Sequence, residues 1–119
     1  MKILVIDDEI CVCNMMTDVL ESENHEVITA EDGVEGFERA ILEKPDFILT
    51  DLEMPGCNGL ELFDRLREAG VATPMVLMTG NHQLAEKVTQ AFERIILKPF
   101  SIIDVLEAVA PKPAPAGID

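Results

Sequence analysis

Ile3-Leu4-Val5-Ile6-Asp7-Asp8 decides the fold, because an unbroken apolar run passes directly into a pair of acids. Three later stretches repeat the plan: Phe47-Ile48-Leu49-Thr50 runs into Asp51, Met75-Val76-Leu77-Met78 into Thr79, and Ile95-Ile96-Leu97 into Lys98. Apolar runs this short predict strands buried on both faces, as in a parallel sheet. Strands of such a sheet all end at one edge, and open α/β folds bind their ligands outside that edge. Asp7, Asp8, Asp51, the Thr79 hydroxyl and the Lys98 amine should therefore converge on one small site. A divalent cation and a phosphoryl group suit that set of atoms.

Between these runs, helical periodicity alternates with the strand signals and predicts an α/β domain. Residues 9–22 read as a helix with Val12, Met15, Met16, Val19 and Leu20 inward, and 26–29 as a short second strand polar enough for an edge. Residues 33–43 read as a helix whose apolar face is Val34, Phe37, Ile41 and Leu42. A third strand at 46–50 leads to a loop with Pro55, Gly56 and Gly59, then to a helix over about 59–69 through Leu60, Leu62, Phe63 and Leu66, stopped by Gly70. Strands at 75–78 and 94–97 flank a weaker helix over roughly 83–92. Ser101, with Asp104 three residues on, resembles a capping box for a last helix carrying Ile102, Val105, Leu106 and Val109, which Pro111 ends. Right-handed crossovers then give a doubly wound, five-stranded parallel sheet in the order 2-1-3-4-5 with helices on both faces.

The chain has 119 residues, enough for one domain with a real core. Residues 1–110 are the expected domain, and 111–119 a Pro/Ala-rich tail or linker start. No apolar stretch approaches a membrane span, and the N-terminus reaches acid too soon for a signal peptide, so a cytoplasmic protein is expected. The net charge of −14 repels phosphate backbones and argues against direct nucleic-acid binding. It serves solubility, or a basic partner. Cys11, Cys13 and Cys57 lack metal-finger spacing and read as reduced, partly buried thiols, with Cys11 and Cys13 on different faces of their helix; His25 and His82 are isolated.

Taken singly, the strand-end residues mean little. An acidic pair where a helix begins is favoured by the helix dipole, and Asp51 before a Pro-Gly loop could be a turn residue. Together they make a chemistry. Close carboxylates repel unless a cation neutralises them, and Mg²⁺ prefers hard oxygen ligands while keeping exchangeable waters. A carboxylate beside such an ion can attack phosphorus, Lys98 can pair with a phosphoryl oxygen, and Thr79 can donate to another.

Asp7-Asp8-Glu9, Asp51-Leu52-Glu53-Met54-Pro55-Gly56-Cys57-Asn58-Gly59-Leu60, Met78-Thr79-Gly80 and Lys98-Pro99-Phe100 resemble, in order, the motifs of the receiver domain of two-component response regulators. The resemblance covers essentially residues 1–110 and implies a flavodoxin-like, three-layer fold. It implies that Asp51 accepts a phosphoryl group from a phosphohistidine on a sensor histidine kinase or phosphotransfer protein. Asp8 and Asp51 would hold Mg²⁺ directly, with the backbone carbonyl of Glu53, and Asp7 would act through water. Thr79 and Lys98 would read the phosphoryl group, and the Lys98–Pro99 bond would be cis. It further implies signalling through contact with a downstream protein effector rather than enzymatic turnover, and it leaves room for a homodimer formed on phosphorylation.

Receivers usually carry Tyr or Phe three residues before the lysine, where this chain has Ile95, and a small pair before strand five, where it has Ala91 and Phe92. The stretch from Thr79 to Lys98 is also about one helical turn shorter than usual. These departures touch the signalling face, not the acids. A free-standing receiver, a piece of a longer regulator and a receiver of a hybrid kinase all fit. The competing class is a Mg²⁺-dependent phosphohydrolase with an aspartate nucleophile; such enzymes place Asp-x-Asp after strand one and add a cap, and this chain has neither.

Overall fold

A computed structural model of the chain describes residues 1–54, 56–81, 83, 92, 94–98 and 101–109. Strands β1 (Lys2–Ile6), β2 (Glu26–Ala30), β3 (Phe47–Asp51), β4 (Met75–Thr79) and β5 (Arg94–Leu97) alternate with helices α1 (Ile10–Ser22), α2 (Gly33–Glu43), α3 (Gly59–Glu68) and α4 (Ile102–Val109). The strands form one parallel sheet in the order β2-β1-β3-β4-β5. This is the expected topology, with β2 at an edge. The helix expected over roughly 83–92 lies, apart from Gln83 and Phe92, outside the described residues, as do Pro55, His82, the Lys98–Pro99 bond, Phe100 and the tail.

Each central strand is buried on both faces, and its pleat divides the core in two. Leu4, Ile6, Ile48, Met75 and Leu77 pack with Ala40, Leu62, Leu66 and Phe92. Ile3, Val5, Leu49, Val76, Met78 and Ile96 pack with Cys13, Met16, Leu20, Val105, Ala108 and Val109. Helices α2 and α3 thus cover one face, and α1 and α4 the other. Burying a residue such as Leu62 or Leu20 contributes roughly 1.5–3 kcal/mol.

Helix ends are fixed by short polar side chains. Asn58 and Glu61 form a full capping box on α3, Asp32 accepts from the Glu35 N–H on α2, and Ser101 and Asp104 bond reciprocally at α4 as the sequence implied. Gly70, at φ +83°, ends α3 in a left-handed conformation that a larger residue resists.

The inward face of α3 is as expected, with Leu62 and Leu66 buried and Leu60 and Phe63 packed against the core, but those of the other helices differ in part. On α1 the buried residues are Cys13, Met16 and Leu20, while Met15 is exposed. On α2 they are Gly33, Gly36 and Ala40; Phe37 packs at the margin, and Val34, Ile41 and Leu42 face outward, Leu42 with 76% of its surface exposed. On α4, Ala108 joins Val105 and Val109, and Ile102 is 54% exposed. The cause is close approach. A Cβ on Gly36 would lie 2.6 Å from Ile6 Cδ1, so α2 sits on the sheet through its smallest residues and its larger ones are left outside.

Candidate functional site

Strand register brings the chemistry together. Ile6 pairs with Thr50, so Asp7 and Asp51 each stand one residue further along neighbouring strands. Asp51 pairs with Met78, Thr79 with Leu97, and the Lys98 N–H donates to the Thr79 carbonyl at 2.8 Å. Alternation then sorts directions. Ile3 and Val5, Leu49 and Ile96 face the α1/α4 layer, and Asp7, Asp51 and Lys98 continue those rows past the core. Gly59 seats the start of α3 against this edge: a Cβ there would lie 2.7 Å from the Asp51 carbonyl oxygen and 3.2 Å from Leu52 Cα.

Lys98 Nζ lies 3.3 Å from Asp7 Oδ2, 3.4 Å from Asp51 Oδ1 and 4.0 Å from Glu9 Oε1. Asp7 is fully buried, and its other oxygen accepts from the Glu9 N–H at 2.9 Å. Burial, followed by the negative charge of Asp7, pushes the Asp51 carboxyl up to about 6, against the pull of Lys98. Burial likewise raises Asp7, with the Glu9 N–H and Lys98 opposing it. Burial by itself would lower the Lys98 ammonium, but Asp51 and Asp7 more than offset it and its pKa is raised.

Among the described residues, Asp7, Asp8 and Asp51 each offer an oxygen, and these three atoms lie within 4.8 Å of one another. Oxygen donors carrying this much negative charge fit a small hard divalent cation. An open cleft of about 680 Å³ stands over them, lined by Asp8, Glu9, Asp51, Glu53, Gly80, Asn81, Gln83 and Lys98. Thr79 is buried at the same edge. By the pleat it follows Met75 and Leu77, which face the α2/α3 layer, and its hydroxyl accepts from the Asn81 N–H at 2.9 Å. Glu9, Asn81 and Gln83 had no assigned role in the sequence reading. Of these only Glu9 had a sequence signal, as the third acid of Asp7-Asp8-Glu9.

A doubly wound sheet with an acid triad and a lysine at its carboxyl edge defines a phosphoryl-receiving signalling module. The chain belongs to the response regulator receiver domain family, whose profile matches residues 3–110. It is 38% identical over 109 residues to the transcriptional regulatory protein ResD of Bacillus subtilis, covering 88% of this chain and 45% of that protein. It is 35% identical over 103 residues to the alkaline phosphatase synthesis transcriptional regulatory protein PhoP of the same organism, covering 84% of this chain and 43% of that one. The chain thus spans less than half the length of these relatives. Among solved structures it resembles the chemotaxis response regulator CheY4 of Vibrio cholerae at a TM-score of 0.84 and 26% identity, covering 91% and 94% of the two chains. It also resembles the response regulator TrrA of Thermotoga maritima, solved in complex with Mg²⁺-BeF, at a TM-score of 0.83 and 28% identity, covering 91% and 95%. Among the described residues no helix is long and apolar enough to cross a membrane.

Proposed function

We propose that Asp51 is the phosphoacceptor of this receiver domain, taking its phosphoryl group from a phosphohistidine on a histidine kinase or phosphotransfer protein. The observation that carries this reading is the placing of Asp51 at the cleft, within ion-pair distance of Lys98 and inside the oxygen cluster with Asp7 and Asp8. With its carboxyl at about 6, Asp51 is largely ionised at neutral pH and keeps a nucleophilic oxygen pair. One oxygen attacks phosphorus as the P–N bond to the donor imidazole breaks, and the imidazole leaves with the electron pair and gains a proton. Asp8 and Asp51, with the Glu53 backbone carbonyl, are the residues that would hold Mg²⁺ directly, Asp7 acting through water. Bound Mg²⁺ supplies charge neutralisation for the acids and the incoming oxygens. Lys98 turns from Asp51 to a phosphoryl oxygen, and the Thr79 hydroxyl, which accepts from the Asn81 N–H, donates its own hydrogen to another.

The domain proper is residues 1–110, with 111–119 a Pro/Ala-rich tail or linker start. It acts in the cytoplasm by protein contact with an effector, and catalyses only its own phosphorylation and dephosphorylation. The surplus of acid, −14 overall, argues against contact between this unit and nucleic acid. Acetyl phosphate with Mg²⁺ tests the acceptor: intact mass should rise by one phosphoryl group, and Asp51→Asn should abolish the rise. Equal labelling of Asp51→Asn would move the acceptor elsewhere.

A further inference from the structure

Glu9 occupies the N-cap of α1, where short polar residues normally bond the first turn, yet its side chain makes no capping hydrogen bond. Its backbone is held from both sides: the N–H donates to Asp7 Oδ1, and the carbonyl accepts from Val12 and Cys13. The carboxylate is therefore set over the cleft from a fixed root, 66% exposed and 4.0 Å from the Lys98 ammonium. That ammonium is the cleft's sole cation among the described residues and is already shared between Asp7 and Asp51. The other charged residues of the lining, Asp8, Glu9, Asp51 and Glu53, are all acids, beside the uncharged Gly80, Asn81 and Gln83. An approaching phosphoryl donor meets a surplus of negative charge, and Glu9 holds Lys98 back from it.

We propose that Glu9 is a specificity-determining residue, an electrostatic gate that slows free dianionic phosphoryl donors and favours donors whose charge is partly neutralised, as a phosphohistidine held in a protein can be. This rests on the reading of Asp51 as the acceptor. Glu9 supplies no atom to the transfer. With acetyl phosphate, the Asp51 oxygen bonds to phosphorus while the P–O bond to acetate breaks and acetate leaves with the pair. With phosphoramidate, the P–N bond breaks and ammonia leaves. At neutral pH the first donor is a dianion and the second a monoanion, so one unit charge at the mouth weighs about twice as heavily on the first.

The test follows Asp51 labelling by intact mass for wild type, Glu9→Gln and Glu9→Lys, with each donor at saturating Mg²⁺. Glu9→Gln keeps the length of the side chain and removes no capping bond, and unchanged thermal unfolding in Mg²⁺-free buffer checks its fold. It should speed acetyl phosphate labelling roughly three- to tenfold and phosphoramidate labelling by less, and Glu9→Lys should exceed it with both. The gap between donors should close at high salt. A Mg²⁺ titration followed by thermal shift gives a readout independent of transfer; its midpoint should rise in Glu9→Gln, since an attractive charge near the cation is lost. Equal acceleration of both donors, or none, overturns the gate while leaving the acceptor intact. No labelling of wild type by either donor sinks the acceptor reading, and the gate with it.

Discussion

Asp51→Asn should make the protein more stable in Mg²⁺-free buffer above neutral pH, even as it ends phosphorylation. In the folded chain the Asp51 carboxyl sits at about 6, against 3.8 for the free group, chiefly because burial disfavours its charged form. Between about pH 4 and pH 6 the folded protein holds a proton that the unfolded chain has released, so stability falls as pH rises through that window. Above pH 7 the full cost is present. A shift from 3.8 to about 6, at about 1.4 kcal/mol per unit, sets a ceiling of about 3 kcal/mol. Asn removes the charge but leaves a buried amide, and Lys98 loses one partner while keeping Asp7 at 3.3 Å and 24% side-chain exposure. A net gain of about 1–2 kcal/mol at pH 7.5 is expected. The chain has no Trp or Tyr, so urea unfolding is best followed by far-UV circular dichroism. The gain should fade toward pH 4, where wild-type Asp51 is itself neutral, and should shrink or reverse in saturating Mg²⁺, which stabilises wild type by binding. A variant less stable than wild type throughout pH 5–8 without Mg²⁺ would refute the account of Asp51 as a buried, costly charge.

Asp8→Ala should abolish the rise in melting temperature that Mg²⁺ gives wild type, because Asp8 is the exposed member of the oxygen cluster; an unchanged shift would place the cation elsewhere. Ile95, which pairs with Leu77 and packs half-buried against the core, has no ring or hydroxyl to reposition. Hydrogen exchange with and without beryllofluoride should therefore change most over residues 79–93, and a response confined to the first two helices would contradict this switch.

Strand ends were legible because the sequence writes them twice, as apolar runs that must be buried on both faces and as charged residues that an apolar core does not accommodate without partners. Asp7, Asp51 and Lys98 could be placed at one edge for that reason alone, and their mutual contacts followed. Helix faces were less legible. Counting large apolar side chains selected Met15, Val34, Ile41, Leu42 and Ile102, which are exposed, whereas Gly36, Ala40, Cys13 and Ala108 are buried, Gly36 in close approach to Ile6. Hydrophobicity ranks side chains by transfer energy, but an interior at crystal-like density also selects for small volume where a helix meets a sheet.

Arrival at a common edge also differs from arrival at a common point. Asp7, Asp51 and Lys98 share one parity of the pleat and meet; Thr79 has the other parity, and its hydroxyl bonds its own loop at Asn81. The run Met75-Val76-Leu77-Met78-Thr79 contained that parity all along, because Met75 and Leu77 must face one layer and Val76 and Met78 the other. What it could not give was the backbone N–H, of Asn81, from which the hydroxyl accepts. The Thr79 hydroxyl accepts from the Asn81 N–H and keeps its own hydrogen to donate, so a hydroxyl drawn toward a phosphoryl group on Asp51 pulls on a backbone bond of the loop beginning at Gly80. With Asp51 as the proposed acceptor, phosphorylation is then expected to shift backbone outside the core, whichever residue stands at position 95.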